Sequence, residues 1–242
     1  MSAEFDPSKR SLILAAGQTG LIAAGGLMVP LAGGGVFSAA ADEKTADGKQ
    51  VEVTPPEDLM REHGVLDRVL LVYEAAIRKF GAGEDFDPAV LSDAATIVRE
   101  FIQNYHEQEE EDEVFPRFKK AGEMVPLIET LLVQHRVGRR LTDTILQSAR
   151  GSRKRGEERE HVVTAMRRFI AMYRPHAAHE DTDLFPKLKT IVTANEYDSM
   201  AEGFEKKEHE LFGDDGFEKI IARVADLERK LGIDDLNKFT PI

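Results

Sequence analysis

His106 and Glu110 stand four residues apart, as do His176 and Glu180, and the two pairs share their surroundings. His106-x-x-x-Glu110-x-x-x-Val114-Phe115-Pro116-x-Phe118-Lys119 is matched by His176-x-x-x-Glu180-x-x-x-Leu184-Phe185-Pro186-x-Leu188-Lys189. Upstream, Leu59-x-x-x-His63-x-Val65 is matched by Leu131-x-x-x-His135-x-Val137. The histidines are offset by 72 and 70 residues, so the sequence repeats a unit that contains both His and Glu. Imidazole with carboxylate is a ligand set for iron or manganese and also suits zinc. With no cysteine in the chain, thiolate sites, iron–sulfur clusters, disulfides and cysteine nucleophiles are all excluded.

The elements that must position these groups are helices. Residues four apart on a helix lie about 40° apart around its axis and about 6 Å along it, so each His-x-x-x-Glu pair converges on one point. Thr54-Pro55-Pro56-Glu57-Asp58 is a helix start, and Leu59, His63, Leu66, Leu70, Tyr73 and Ile77 then form one inward stripe to about Phe80. A second helix is expected from Pro88 to about Phe115, ending before Pro116. A third should run from Pro126 to about Arg150, and a fourth from the Gly151 to Gly156 loop to about Phe185, ending before Pro186. His106 continues a stripe through Ala95, Val98 and Ile102, His135 one through Ile128 and Leu131, and His176 one through Phe169 and Met172. No alternating run suggests a strand. The expected fold is all-α: an antiparallel up-down four-helix bundle built from a duplicated helical hairpin. Two shorter amphipathic segments, 196–212 and 217–231, follow as C-terminal helices.

Four imidazoles and two carboxylates would then meet in an apolar interior. Each unpaired polar group there costs on the order of 1 to 3 kcal/mol, and a positive centre removes that cost. If Glu110 and Glu180 both bridge, each of two metals receives two His and two carboxylate oxygens. A bridging oxygen from solvent is the fifth ligand, and about one position per metal stays open for dioxygen, peroxide or nitric oxide.

The order His, His-x-x-x-Glu, His, His-x-x-x-Glu, with Phe-Pro after each pair, resembles the hemerythrin-like, or HHE cation-binding, domain. The resemblance covers about Pro55 to Leu188. It implies two non-haem iron ions, carboxylate- and oxo-bridged, held by His63, His106, His135 and His176 with Glu110 and Glu180 as bridges. Hemerythrins that carry oxygen have a further His where this chain has Arg139, and an Asp where it has Asp181. The missing His argues against reversible oxygen carriage and leaves oxidase- or peroxidase-like reactivity open.

Around these six, Glu107, Glu109, Glu111, Asp112 and Glu113 read as a solvated face, with Glu107 a minor candidate to support a ligand. His179 and Asp181 are candidates for orienting or rim roles. His161 reads as unrelated, and His209 as a residue of a helix covering one end of the bundle. Tyr73 and Tyr105 could donate to a bridging oxygen or simply pack, and Arg139 could pair with a carboxylate or extend outward to solvent, and reads as the second.

The remaining sequence bounds partners and location. With 44 Asp plus Glu against 32 Lys plus Arg, the net charge of -12 repels phosphate backbones, so nucleic acid is not an expected partner. The basic cluster at Arg150, Arg153, Lys154, Arg155 and Arg159 reads as a solvated loop. Lys9 and Arg10 precede an apolar stretch over residues 12–37, followed by Ala39-Ala40-Ala41, which fits a small-x-small cleavage site. The Ser8-Lys9-Arg10-Ser11-Leu12-Ile13 string resembles a twin-arginine signal with Lys in place of the first Arg. The expected organisation is an export signal over 1–41, a linker over 42–53, the bundle over 54–190 and a helical extension over 191–242. Export to the periplasm or exterior is the expectation, and the alternative is a membrane anchor through residues 12–37. Function divides between an exported di-iron protein that binds or reduces a small oxidant and an iron sensor or store without turnover, whose C-terminal extension would respond to metal. A bundle with no metal at all would need the repeated His and Glu to be incidental.

Overall fold

The computed structural model describes residues 53–241. All regular structure among the described residues is helical. The export signal or anchor expected over residues 1–41 lies outside the described residues, and none of the described helices is long and apolar enough to cross a membrane.

Helix α1 spans Pro55–Ala82. Its start is fixed by a capping box, in which Thr54 accepts from the Glu57 N–H and Glu57 accepts in return from the Thr54 N–H. Pro55 and Pro56 occupy first-turn positions that need no donor, and Gly83 ends the helix in the left-handed conformation at φ 72°. Helix α2 runs from residue 89 to 121 and α4 from 157 to 191; α3 is Val125–Ser148, α5 is Ala194–Phe212 and α6 is Gly216–Leu231.

Both prolines expected to end a helix are instead passed. In α2 the wide turn Glu110–Val114 precedes Phe115–Ala121, and in α4 the wide turn Glu180–Leu184 precedes Phe185–Ile191. In each case the Phe N–H reaches back five residues, Phe115 to the Glu110 carbonyl and Phe185 to the Glu180 carbonyl. A π-type turn of this kind accommodates a residue with no N–H and a bulky ring without breaking the rod. A further wide stretch, Val98–His106, leads into the first His-x-x-x-Glu pair.

The apolar interior falls into two clusters, and each long helix contributes to both. Leu59 of α1, Phe115 and Phe118 of α2, Ile128 and Leu131 of α3, and Phe185 and Leu188 of α4 belong to one, together with Met200 and Phe204 of α5. Leu66 and Tyr73 of α1, Phe101 of α2, Ile145 of α3 and Phe169 of α4 belong to the other, together with Ile220, Val224 and Leu227 of α6. His63, His106 and His135 lie in sequence at the change from one cluster to the other, and His176 lies within two residues of it. The C-terminal helices are thus part of the core; Arg68 of α1 clamps Glu228 of α6 through two hydrogen bonds, at 2.9 and 2.6 Å.

Candidate metal centre

The six expected residues come together, and none is more than 4% exposed. The Nε2 atoms of His63 and His106 lie 3.0 Å apart, and those of His135 and His176 lie 3.3 Å apart. Glu180 Oε2 is 3.4 Å from His63 Nε2 and 3.1 Å from His176 Nε2. Glu110 approaches His106 Nε2 at 3.7 Å and His135 Nε2 at 3.4 Å. Each carboxylate therefore sits between a His of its own helix and a His from the other half of the repeat. Phe115 stacks on His135 at 5.7 Å and Phe185 on His63 at 5.5 Å, so each Phe-Pro turn supplies the apolar lid of a histidine from the other half.

The outer nitrogens explain the orientation of the rings. His63 Nδ1 donates to Asp181 at 2.7 Å, His106 Nδ1 to Glu62 at 2.7 Å, His135 Nδ1 to Glu111 at 2.9 Å, and His176 Nδ1 to the Gln134 side-chain oxygen at 2.8 Å. An acceptor at Nδ1 fixes the tautomer and turns the Nε2 lone pair inward. Glu62 and Gln134 precede the first His of each half, while Glu111 and Asp181 follow the two bridging candidates, so all four obey the 72- and 70-residue offsets. For Asp181 this is the orienting role expected from the sequence. Glu62 and Gln134 were missed, although extending the repeat by one residue would have found them.

Glu107, Glu109 and Glu111 do not lie on the solvated face expected of this acidic run. Glu107 and Glu109 are each 1% exposed, and only Asp112 and Glu113 of that run face outward. Helical spacing alone cannot separate these faces, because the wide turns on either side of Glu107–Glu109 rotate the run relative to a regular helix. Arg139 takes the less expected of its two roles. It does not extend to solvent but meets Glu107 at 2.9 Å and Glu111 at 2.7 Å. The Tyr173 hydroxyl donates to Glu107 at 2.5 Å. It passes over Gly138, where an added Cβ would lie 2.0 Å from the hydroxyl oxygen.

Electrostatics show what the pocket lacks. Both oxygens of Glu110 and of Glu180 are buried without a hydrogen-bond partner. Burial opposes charge on His63, yet the hydrogen bond to Asp181 and the nearby charge of Glu180 raise its pKa to about 10. Burial likewise opposes charge on His135, and Glu107, Glu110 and Glu111 together hold it well above the usual histidine range. His106, pushed down by burial, falls to about 4. Glu180, which burial would raise, is held well below the carboxylate range by His176 and His63. The buried carboxylates thus demand positive charge. Converging lone pairs and orphaned carboxylate oxygens fit a cation, which would satisfy both at once.

The remaining histidines stay outside. His161 and His179 are exposed and pair with Glu157 and Asp183, while His209 lies at the surface 3.3 Å from Asp214. Tyr73 is fully buried with its hydroxyl unpartnered, and burial raises its pKa beyond the normal tyrosine range.

Comparison with known proteins gives relatives and a family. The chain is 43% identical to uncharacterized proteins of Mycobacterium tuberculosis (strains H37Rv and CDC 1551) and Mycobacterium bovis, over 198 residues that cover 81% of this chain and 78% of each relative. No solved structure matches it. Residues 54–188, which hold every side chain of the pocket, match the hemerythrin HHE cation binding domain, and the chain belongs to that family.

Proposed function

We propose that this pocket holds two iron ions, one between His63 and His106 and the other between His135 and His176. Glu110 and Glu180 are shared by both ions, and the loaded protein binds or reduces dioxygen, peroxide or nitric oxide. The observation that carries this reading is the set of four Nδ1 acceptors, Asp181, Glu62, Glu111 and Gln134, which direct four Nε2 lone pairs onto two partnerless carboxylates. Paired ions with unfilled positions supply a place for a small oxidant and the electrons to reduce it.

The protein's own contribution is orientation and dryness. Phe115 and Phe185 cover His135 and His63, and the apolar clusters above and below exclude water. Alternation of the clusters along α1 to α4 supports an antiparallel up-down bundle in which each half of the repeat is one hairpin. Arg139 is engaged by Glu107 and Glu111, and offers no ligand where oxygen carriers have a His, which favours reaction with the oxidant over its reversible carriage. Export belongs to the same proposal and predicts a mature amino terminus at or near Asp42.

Stopped-flow mixing of the reduced, iron-loaded protein with oxygen, peroxide and nitric oxide tests the function. Rapid oxidation or adduct formation with at least one of them is expected. Indifference to all three would leave a store or sensor as the better reading, and a long-lived, reversibly dissociating oxygen complex would restore carriage.

A further inference from the structure

A second group of acids lies beyond Glu62, outside the histidine pocket. Oxygens of Asp58, Glu62 and Glu208, from α1 and α5, lie within 4.8 Å of one another, and all three residues are buried. Glu62 uses one oxygen on His106, and its other oxygen has no hydrogen-bond partner. Glu109 of α2, 1% exposed, has both oxygens without a partner. Burial opposes its charge, and so do Glu62, Asp58 and Glu208, so Glu109 neighbours the cluster without being one of the three acids whose oxygens already converge. Tyr105, one helical turn before Glu109 and fully buried, borders all four acids. Two cations stand beside the cluster. Lys207 lies near Glu109, and Arg61 reaches to 3.8 Å from Asp58 while its guanidinium covers the Phe217 ring at 4.4 Å.

Four carboxylates from three helices, with three buried oxygens left unpartnered, form an arrangement that a doubly charged ion would complete. We propose that Asp58, Glu62, Glu109 and Glu208 form a second cation site, separate from the histidine centre, that takes one hard divalent ion through oxygen ligands. The absence of imidazole from the cluster selects a cation content with oxygen donors over one that prefers nitrogen. Such an ion would tie α5 to α1 and α2. Glu208 also accepts the Phe217 N–H at 3.0 Å, so the same contact reaches the start of α6. Through Glu62 the ion would further act on the His106 ring.

Manganese(II), added to the full chain after the histidine centre has been loaded with iron, is the probe, and its binding is read by loss of the free-ion paramagnetic resonance signal. The expected result is one additional ion per chain with the iron content unchanged, and at least tenfold weaker manganese binding in both Glu109→Gln and Glu208→Gln. Without manganese, Glu109→Gln should melt no lower than the parent, because it replaces a buried carboxyl whose two oxygens have no hydrogen-bond partner; this separates loss of the site from loss of the fold. No manganese uptake by the iron-loaded chain, or unchanged uptake in the two variants, overturns the proposal and leaves the acids holding shared protons. Failure of iron loading itself would count against the histidine centre, whose ligands are different residues, and manganese uptake would then be read with the histidine ligands replaced by alanine.

Discussion

Arg139 donates at 2.7 Å to Glu111 Oε1, the same oxygen that accepts the His135 Nδ1 proton at 2.9 Å. One guanidinium thus steadies the acceptor that orients a ring of the pocket. Groups that hold a ligand in place typically contribute about 10- to 100-fold to metal affinity. Arg139→Met should weaken metal retention about tenfold against a competing chelator, with the loss confined to the ion nearer His135 and His176. Unchanged retention would show that Glu111 keeps its position unaided.

Gly138 offers a second test, because its sign runs against helix propensity. Replacing an exposed mid-helix Gly by Ala stabilises by about 1 kcal/mol. Here the new Cβ would collide with Tyr173, and overpacking of this kind costs about 1 to 3 kcal/mol. Gly138→Ala should therefore lower the melting temperature, and a raised one would mean that Tyr173 and Glu107 are free to move apart.

Much of this arrangement was legible in the chain. The six pocket residues followed from the repeat, because a duplicated unit that preserves polar residues at inward positions has few explanations other than a shared polar site. The same repeat contained Glu62, Gln134, Glu111 and Asp181 at equal offsets, so the outer ring of acceptors was equally readable once the inner one was known. The fates of Pro116 and Pro186 were not readable. A proline signals a helix end through local sterics, and only the packing of Phe118 and Leu188 into the same cluster as Leu59 makes continuation through a wide turn favourable. The burial of Glu107 and Glu109 and the inward turn of Arg139 were hidden for a related reason, since long-range partners decide them. The C-terminal helices were recognised as amphipathic, but the face of the bundle that receives them could not be read from a period.

Those C-terminal helices yield the third prediction. Leu227 is 2% exposed and packs in the larger apolar cluster with Leu66 and Phe101. Leu227→Ala should cost about 2 to 5 kcal/mol in denaturant unfolding, as for other buried leucines. Protection of α6 from limited proteolysis should also be equal with and without iron in the histidine centre. A small cost joined to metal-dependent cleavage would instead favour an extension that responds to iron.

The shared carboxylates are the fourth case. Each of Glu110 and Glu180 faces one His from each half of the repeat, so removing either should release both ions and not one. Glu180→Ala and Glu110→Ala are expected to bind less than a tenth of the parent's iron. Retention of a full pair in either variant would assign the bridging role to a neighbouring acid, Asp181 or Glu107.

The most direct test of the account is the iron content of the full chain after anaerobic loading with iron(II) and removal of excess, combined with Mössbauer spectroscopy. The paired geometry predicts two irons per chain in nearly equivalent environments of nitrogen and oxygen ligands. A single iron, or a chain that rejects iron and retains one zinc, would contradict it.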